Sequence, residues 1–205
     1  MTAPTVLTIG HSTHPLDRFV ALLQAHCVTA IADVRSMPYS RFQPDFDREA
    51  LAKTLGEHGI AYVFLGAELG GRSQDPTCYE EGRVQYRTVA RTELFRSGLE
   101  RLVEGAQIHR VALLCAEKEP LDCHRTLLVA RELDARGVAV AHIHADGQLE
   151  THAAAMTRLL ERYGMADRDL FRSREEQVVE ACTRQEQKIA YVLPEGRVPG
   201  ERASP

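Results

Sequence analysis

The strongest constraint on this chain is an alternation. Five short apolar segments at 6–9, 30–34, 60–65, 110–115 and 138–143 are separated by stretches with helical spacing. The first, Val6-Leu7-Thr8-Ile9, is β-branched and stops at Gly10, as a strand buried on both faces does. Leu16, Phe19, Val20, Leu22 and Leu23 then recur on one helical face, with Thr13 placed to cap and Pro15 tolerated in the first turn. Asp47 opens a second helix carrying Leu51 and Leu55, and Gly59 stands at its exit. Residues 66–87 lack a period and read as a long loop; helices follow at 89–104 and 122–136, the last ended by Gly137. Repeated strand–helix–strand units require right-handed crossovers and a sheet covered on both sides. The expectation is an α/β three-layer sandwich, with a mostly parallel sheet of about five strands and a C-terminal helix packed on the body.

That architecture needs one core, and 205 residues supply one. A hydrophobic share of 44% with 26% charged residues excludes disordered and fibrous classes. The expected organisation is a single domain over 1–192, comprising a core at 5–145 and a helical segment at 146–192, then a disordered tail at 193–205. Ser173-x-x-Glu176 has the form of a capping box. Val178, Cys182, Gln185 and Ile189 make a narrow stripe on the last helix, for the body or for a second copy in a homodimer. No apolar run is long enough for a membrane, and Met1 to Pro4 do not begin a signal peptide, so a cytoplasmic location without membrane partners is expected. Five cysteines, an odd and scattered set, fit reduced thiols better than disulfides. A net charge of −4 excludes coating nucleic acid by bulk attraction, and leaves a local basic pocket open.

Ligands of open α/β sheets bind beyond the carboxyl ends of the strands. In this chain those ends carry Gly10-His11-Ser12-Thr13; Asp33 with Arg35, Ser40 and Arg41; Gly70-Gly71-Arg72; and Cys115 with Glu117, followed by Cys123-His124-Arg125. If Asp122 caps the helix that follows, Cys123, His124 and Arg125 occupy its first turn, where free N–H groups and the helix dipole favour anions. The same field activates a thiol, although buried packing is an equally ordinary fate for Cys115 and Cys123. His11, Asp33, Glu117, Cys115, Cys123 and His124 are the candidates for chemistry. Gly10, Ser12, Thr13, Arg35, Ser40, Arg41, Gly70, Gly71, Arg72 and Arg125 are the candidates for ligand binding. Taken alone, Ser12 and Thr13 are better explained as caps; Asp33 also reads as the ion-pair partner of an arginine, and Tyr79 and Tyr86 either stack on a ligand or staple the loop. The first loop lacks the glycines and lysine of a phosphate or dinucleotide fingerprint.

Ile9-Gly10-His11-Ser12-Thr13, Asp33-Val34-Arg35-Ser36 with Pro38 and Ser40-Arg41, Leu69-Gly70-Gly71-Arg72, and Cys115-Ala116-Glu117 with Cys123-His124-Arg125 occur in one order. In that order they resemble the bacterial and archaeal family called domain of unknown function 488, from about Thr5 to Ile143. Gln187 to Tyr191 resemble its usual C-terminal segment. The resemblance implies an α/β fold and this set of residues as a site; it implies no reaction.

Several functions fit these residues. One is an enzyme, of hydrolase or glycosyl-bond type, acting on a nucleotide, nucleoside or modified nucleic-acid base, with an anionic small molecule as partner and nucleic acid possible. A second is a non-catalytic module that senses a nucleotide. A third is thiol chemistry of rhodanese type, against which stands the long, Pro120-bearing path from Cys115 to Arg125. A fourth is a metal site from Cys115, Cys123 and His124, with His11 as a further ligand, but Cys-x7-Cys-His is not a standard zinc spacing, so no metal and no cofactor is expected.

Overall fold

A computed structural model describes residues 5–40, 42–165, 171–194 and 196–199. Its centre is a six-stranded sheet in the order β3-β2-β6-β1-β7-β8. The strands are β1 (Thr5–Gly10), β2 (Ala30–Asp33), β3 (Ala61–Phe64), β6 (Val111–Cys115), β7 (Ala139–Ile143) and β8 (Leu149–Thr151). The first five run parallel, as expected; β8 is an added antiparallel edge. It follows the turn at Gly147, which takes a φ of 93° open to glycine without strain. Three residues are too few to announce a strand by alternation.

The sheet is covered on both faces, as its apolar strands require. On one side α1 (Leu16–Ala25) and α2 (Arg48–Glu57) bury Phe19, Leu23, Leu51 and Leu55 against Leu7, Ile9, Ile31 and Leu114. On the other, α5 (Glu93–Ile108), α7 (His152–Arg162) and α8 (Arg174–Ile189) cover Val6, Ala32, Val34 and Leu113. Ser173 and Glu176 form the expected capping box of α8, and Cys182 packs on Met156 of α7, so the stripe serves the body. Among the described residues no helix is long and apolar enough to cross a membrane.

Several local expectations are corrected. The long loop contains the helical turns α3 (Gly66–Leu69) and α4 (Tyr86–Val89) and the hairpin β4 (Tyr79–Glu80) and β5 (Arg83–Val84). The helix expected at 89–104 starts at Glu93, because Thr92 supplies the cap to the Phe95 N–H. Pro15, not Thr13, takes the N-cap position of α1, and Thr13 is exposed. Asp47 does precede α2, but its carboxylate accepts from the Ser40 N–H instead of the helix.

The correction with most consequence concerns Asp122. It closes a 3₁₀ turn at Pro120–Asp122, and its carboxylate takes Arg162 at 2.6 Å and Gln185 at 2.7 Å. Cys123 is the extended residue before the next helix, with φ −142° and ψ 143°. That helix is π-wound over Arg125–Ala130 and continues as α6 (Arg131–Asp134). Such widened turns are rare and gather at functional sites.

Candidate functional site

The strand order creates the site. β6 enters between β2 and β1, so Asp33 pairs beside Leu114 and the ends of β2 and β6 lie together. Past those ends, alternate residues part to opposite faces, since side chains on a strand have a period of two.

On the α1–α2 face, Arg35 grips Asp33 with three side-chain bonds of 2.6–3.1 Å and donates to the Phe46 carbonyl at 2.9 Å. Tyr62 Oη donates to the same carboxylate at 2.6 Å. Burial disfavours the Arg35 charge, but the paired carboxylate outweighs it and raises its pKa. Burial and the Asp33 carboxylate also push the Tyr62 hydroxyl well up. His11 stacks on Phe46 at 4.5 Å, with Nδ1 3.0 Å from the Ser12 carbonyl. Burial and then Arg35 lower its pKa.

The other face gathers four reactive groups. Cys115 and Cys123 both donate to Glu117 Oε2, at 2.8 and 3.1 Å. Their sulfurs lie 3.6 and 3.8 Å from His124 Nδ1. His124 Nε2 is 3.0 Å from the Val34 carbonyl. A carbonyl only accepts, so Nε2 carries a proton and Nδ1 faces the two sulfurs. The Arg125 N–H reaches Cys123 Sγ at 3.4 Å, while His124, not Asp122, takes the N-cap position of the helix, with no side-chain cap bond.

These groups bias one another. Burial, then Cys123, raises the Cys115 thiol far above its ordinary range. Burial acts the same way on Cys123, but its bond with Cys115 and the nearby Arg125 and His124 overturn it and lower the pKa. Burial and Cys123 raise Glu117; His124 is raised by Cys123 and Glu117 against its own burial. The arrangement can move protons, expose a nucleophilic sulfur, or bind a soft cation.

Glycines make room for the cluster. A Cβ on Gly10 would stand 1.8 Å from the Glu117 carbonyl oxygen, and one on Gly71 2.9 Å from the His124 ring. Gly70 would meet Ser36 Oγ at 2.4 Å. Close approach, rather than a tight turn at Gly10, is what these positions need. Beneath the cluster Arg125 is fully buried, donating to the Glu117 and Lys118 carbonyls at 2.7 and 3.3 Å, with its Nε unpartnered.

A cavity of about 200 Å³ opens over the cluster; its wall includes Arg35, Arg72, Cys115, Glu117, Cys123 and His124. It shares Ser36, Met37, Arg72 and Tyr191 with a wider hollow of about 570 Å³. There Arg72 lies over Tyr191 and Arg48 over Phe64, each at 4.5 Å. Arg197 and Tyr79 complete this mixture of guanidinium and aromatic surface.

The sequence-derived candidates therefore divide. Six of them line the inner cavity with Gly71, whereas His11, Asp33, Gly10, Ser12, Thr13, Ser40, Gly70 and the fully buried Arg125 do not. Asp33 orients Arg35; Ser40 Oγ accepts from the Phe42 and Gln43 N–H groups; Ser12, at a φ of 50°, donates its N–H to the Ala116 carbonyl. Arg41 lies outside the described residues. Tyr86 lines the cavity too, so of the two loop tyrosines one reaches each hollow. The residues that sequence reasoning passed over are Arg48, Phe64, Tyr191 and Arg197. Only Tyr191 left a trace, in the C-terminal segment of the family resemblance.

A family model described as "Domain of unknown function DUF488" matches residues 15–131, more than half of the chain and most of the cavity wall. No curated protein and no solved structure gives a significant match.

Proposed function

Because the chain belongs to the DUF488 family, whose description assigns no reaction, its activity is read from the site. We propose that it is an enzyme acting on a nucleotide, nucleoside or modified nucleic-acid base. The observation that carries this is that the two hollows adjoin, sharing Ser36, Met37, Arg72 and Tyr191: a wall of guanidinium and aromatic groups stands beside a cluster with exchangeable protons, its thiols and imidazole buried. Arginine forks match phosphate oxygens, and aromatic faces such as those of Tyr79, Tyr191 and Phe64 stack on bases. Glu117 lines the inner wall, and in this reading it takes a proton from an attacking water and returns it to the leaving group. Hydrolysis at a glycosidic or phosphate-ester bond is the reaction class that uses these parts.

A thermal-shift panel of nucleotides, nucleosides, free bases and inorganic phosphate tests this reading. Nucleotides at a hundred times Kd stabilise by about 2.7 kcal/mol, and Arg72→Ala removes the shift. Chromatography of the same mixtures then shows released base or phosphate. Stabilisation without turnover would assign a sensing module instead, and a panel in which nothing exceeds phosphate overturns the proposal.

A further inference from the structure

We propose that Cys115, Cys123 and His124 hold a divalent metal ion of the zinc type, with Glu117 on its cavity side. The inference deepens the preceding reading of the same cavity but stands on its own geometry. The three ligand atoms lie within 4.8 Å of one another. Zinc bonds of about 2.3 Å to sulfur and about 2.0 Å to nitrogen, set tetrahedrally, place the ligand atoms roughly 3.6 Å apart. The two sulfur–nitrogen separations are 3.6 and 3.8 Å.

The surroundings are those of a metal site. The Val34 carbonyl holds His124 Nε2 at 3.0 Å, which aims Nδ1 at the sulfurs, and the Arg125 N–H reaches the Cys123 sulfur. Such outer contacts orient metal ligands and moderate a thiolate's charge. Charge balance agrees. Two buried thiolates would carry two negative charges, and a dication neutralises them. Thiolate and imidazole donors select a soft or borderline ion over magnesium or calcium.

The irregular spacing has a structural cause. Cys115 ends β6, while Cys123 is extended and His124 is already helical, so the bend between two neighbours turns both side chains to one point. A metal-bound water on the cavity side would give its proton to Glu117 as its oxygen attacks the substrate. Glu117 would pass that proton to the leaving group, so the net reaction adds one water across the broken bond.

Metal analysis tests the site without any nucleotide. Protein purified without chelator, or stripped and refilled with Zn²⁺, holds about one equivalent of zinc. Cobalt(II) substitution gives tetrahedral ligand-field bands and a thiolate charge-transfer band. Cys123→Ser and His124→Ala lose the bands; Glu117→Gln keeps them. Wild-type protein that unfolds cooperatively yet retains no zinc after refilling overturns the inference, whatever the fate of the variants. So does full metal retention in Cys123→Ser, and loss of metal in Glu117→Gln overturns the placing of that residue off the metal. A metal-loaded protein that ignores every nucleotide would refute only the substrate reading.

Discussion

Two groups of ionisable residues stand at the same sheet edge and differ in how completely their polar atoms are answered. On the α1–α2 face, Asp33, Arg35, Tyr62 and the Phe46 carbonyl match donor to acceptor, and of these only Arg35 also reaches the cavity wall. On the opposite face two thiols compete for one carboxylate oxygen, an imidazole nitrogen faces two sulfurs, and the supporting Arg125 keeps an unpartnered Nε. A closed network holds a loop in place. An under-answered one, open to a cavity, is where added chemistry can enter.

The contrast predicts a hierarchy of effects. Asp33→Ala strips the counter-charge from a buried guanidinium and should cost about 3–5 kcal/mol, read as a lower denaturant midpoint. A loss under about 1 kcal/mol would mean that this network is not structural. Gly10→Ala drives a methyl into the Glu117 carbonyl and should cost about 1–3 kcal/mol through backbone displacement. It should weaken ligand and metal binding together, because Glu117 and its loop move. Cys115→Ala, in the unsettled group, removes a small buried side chain and should cost no more than about 1–2 kcal/mol, while abolishing the functional signals.

The last prediction concerns the pH dependence. His11, on the settled face, has its pKa lowered in the fold by burial and by Arg35. Its unfolded form therefore takes up a proton first, so stability present above pH ~6.5 declines as pH falls. The buried relay Thr8–His142–His152, with bonds of 2.8 and 3.2 Å, adds to this because burial pushes His142 down to about 3. Each such histidine contributes at most about 1.4 kcal/mol per pH unit across its window. Denaturant titrations at pH 7 and 5 should show a loss that is reduced in His142→Gln, and equal losses in both proteins would remove the histidine relay from the account.

Much of this protein was determined by local pattern. Strand and helix periods, buried apolar runs and Gly59 and Gly137 as exits, both with positive φ, dictate a two-sided parallel sheet because no other arrangement buries those runs. The rule that ligands gather past the strand ends also picked out the cluster residues, since it depends only on chain direction. Tertiary structure decided what each residue does there. Insertion of β6 between β2 and β1 brought Val34 to His124, the twofold period of the strands parted Asp33 and His11 from Cys115, and the packed C-terminal helix delivered Tyr191. Composition and spacing hold no information on these contacts. They depend on which strand lies beside which, and that is settled by the packing of distant segments on a common core.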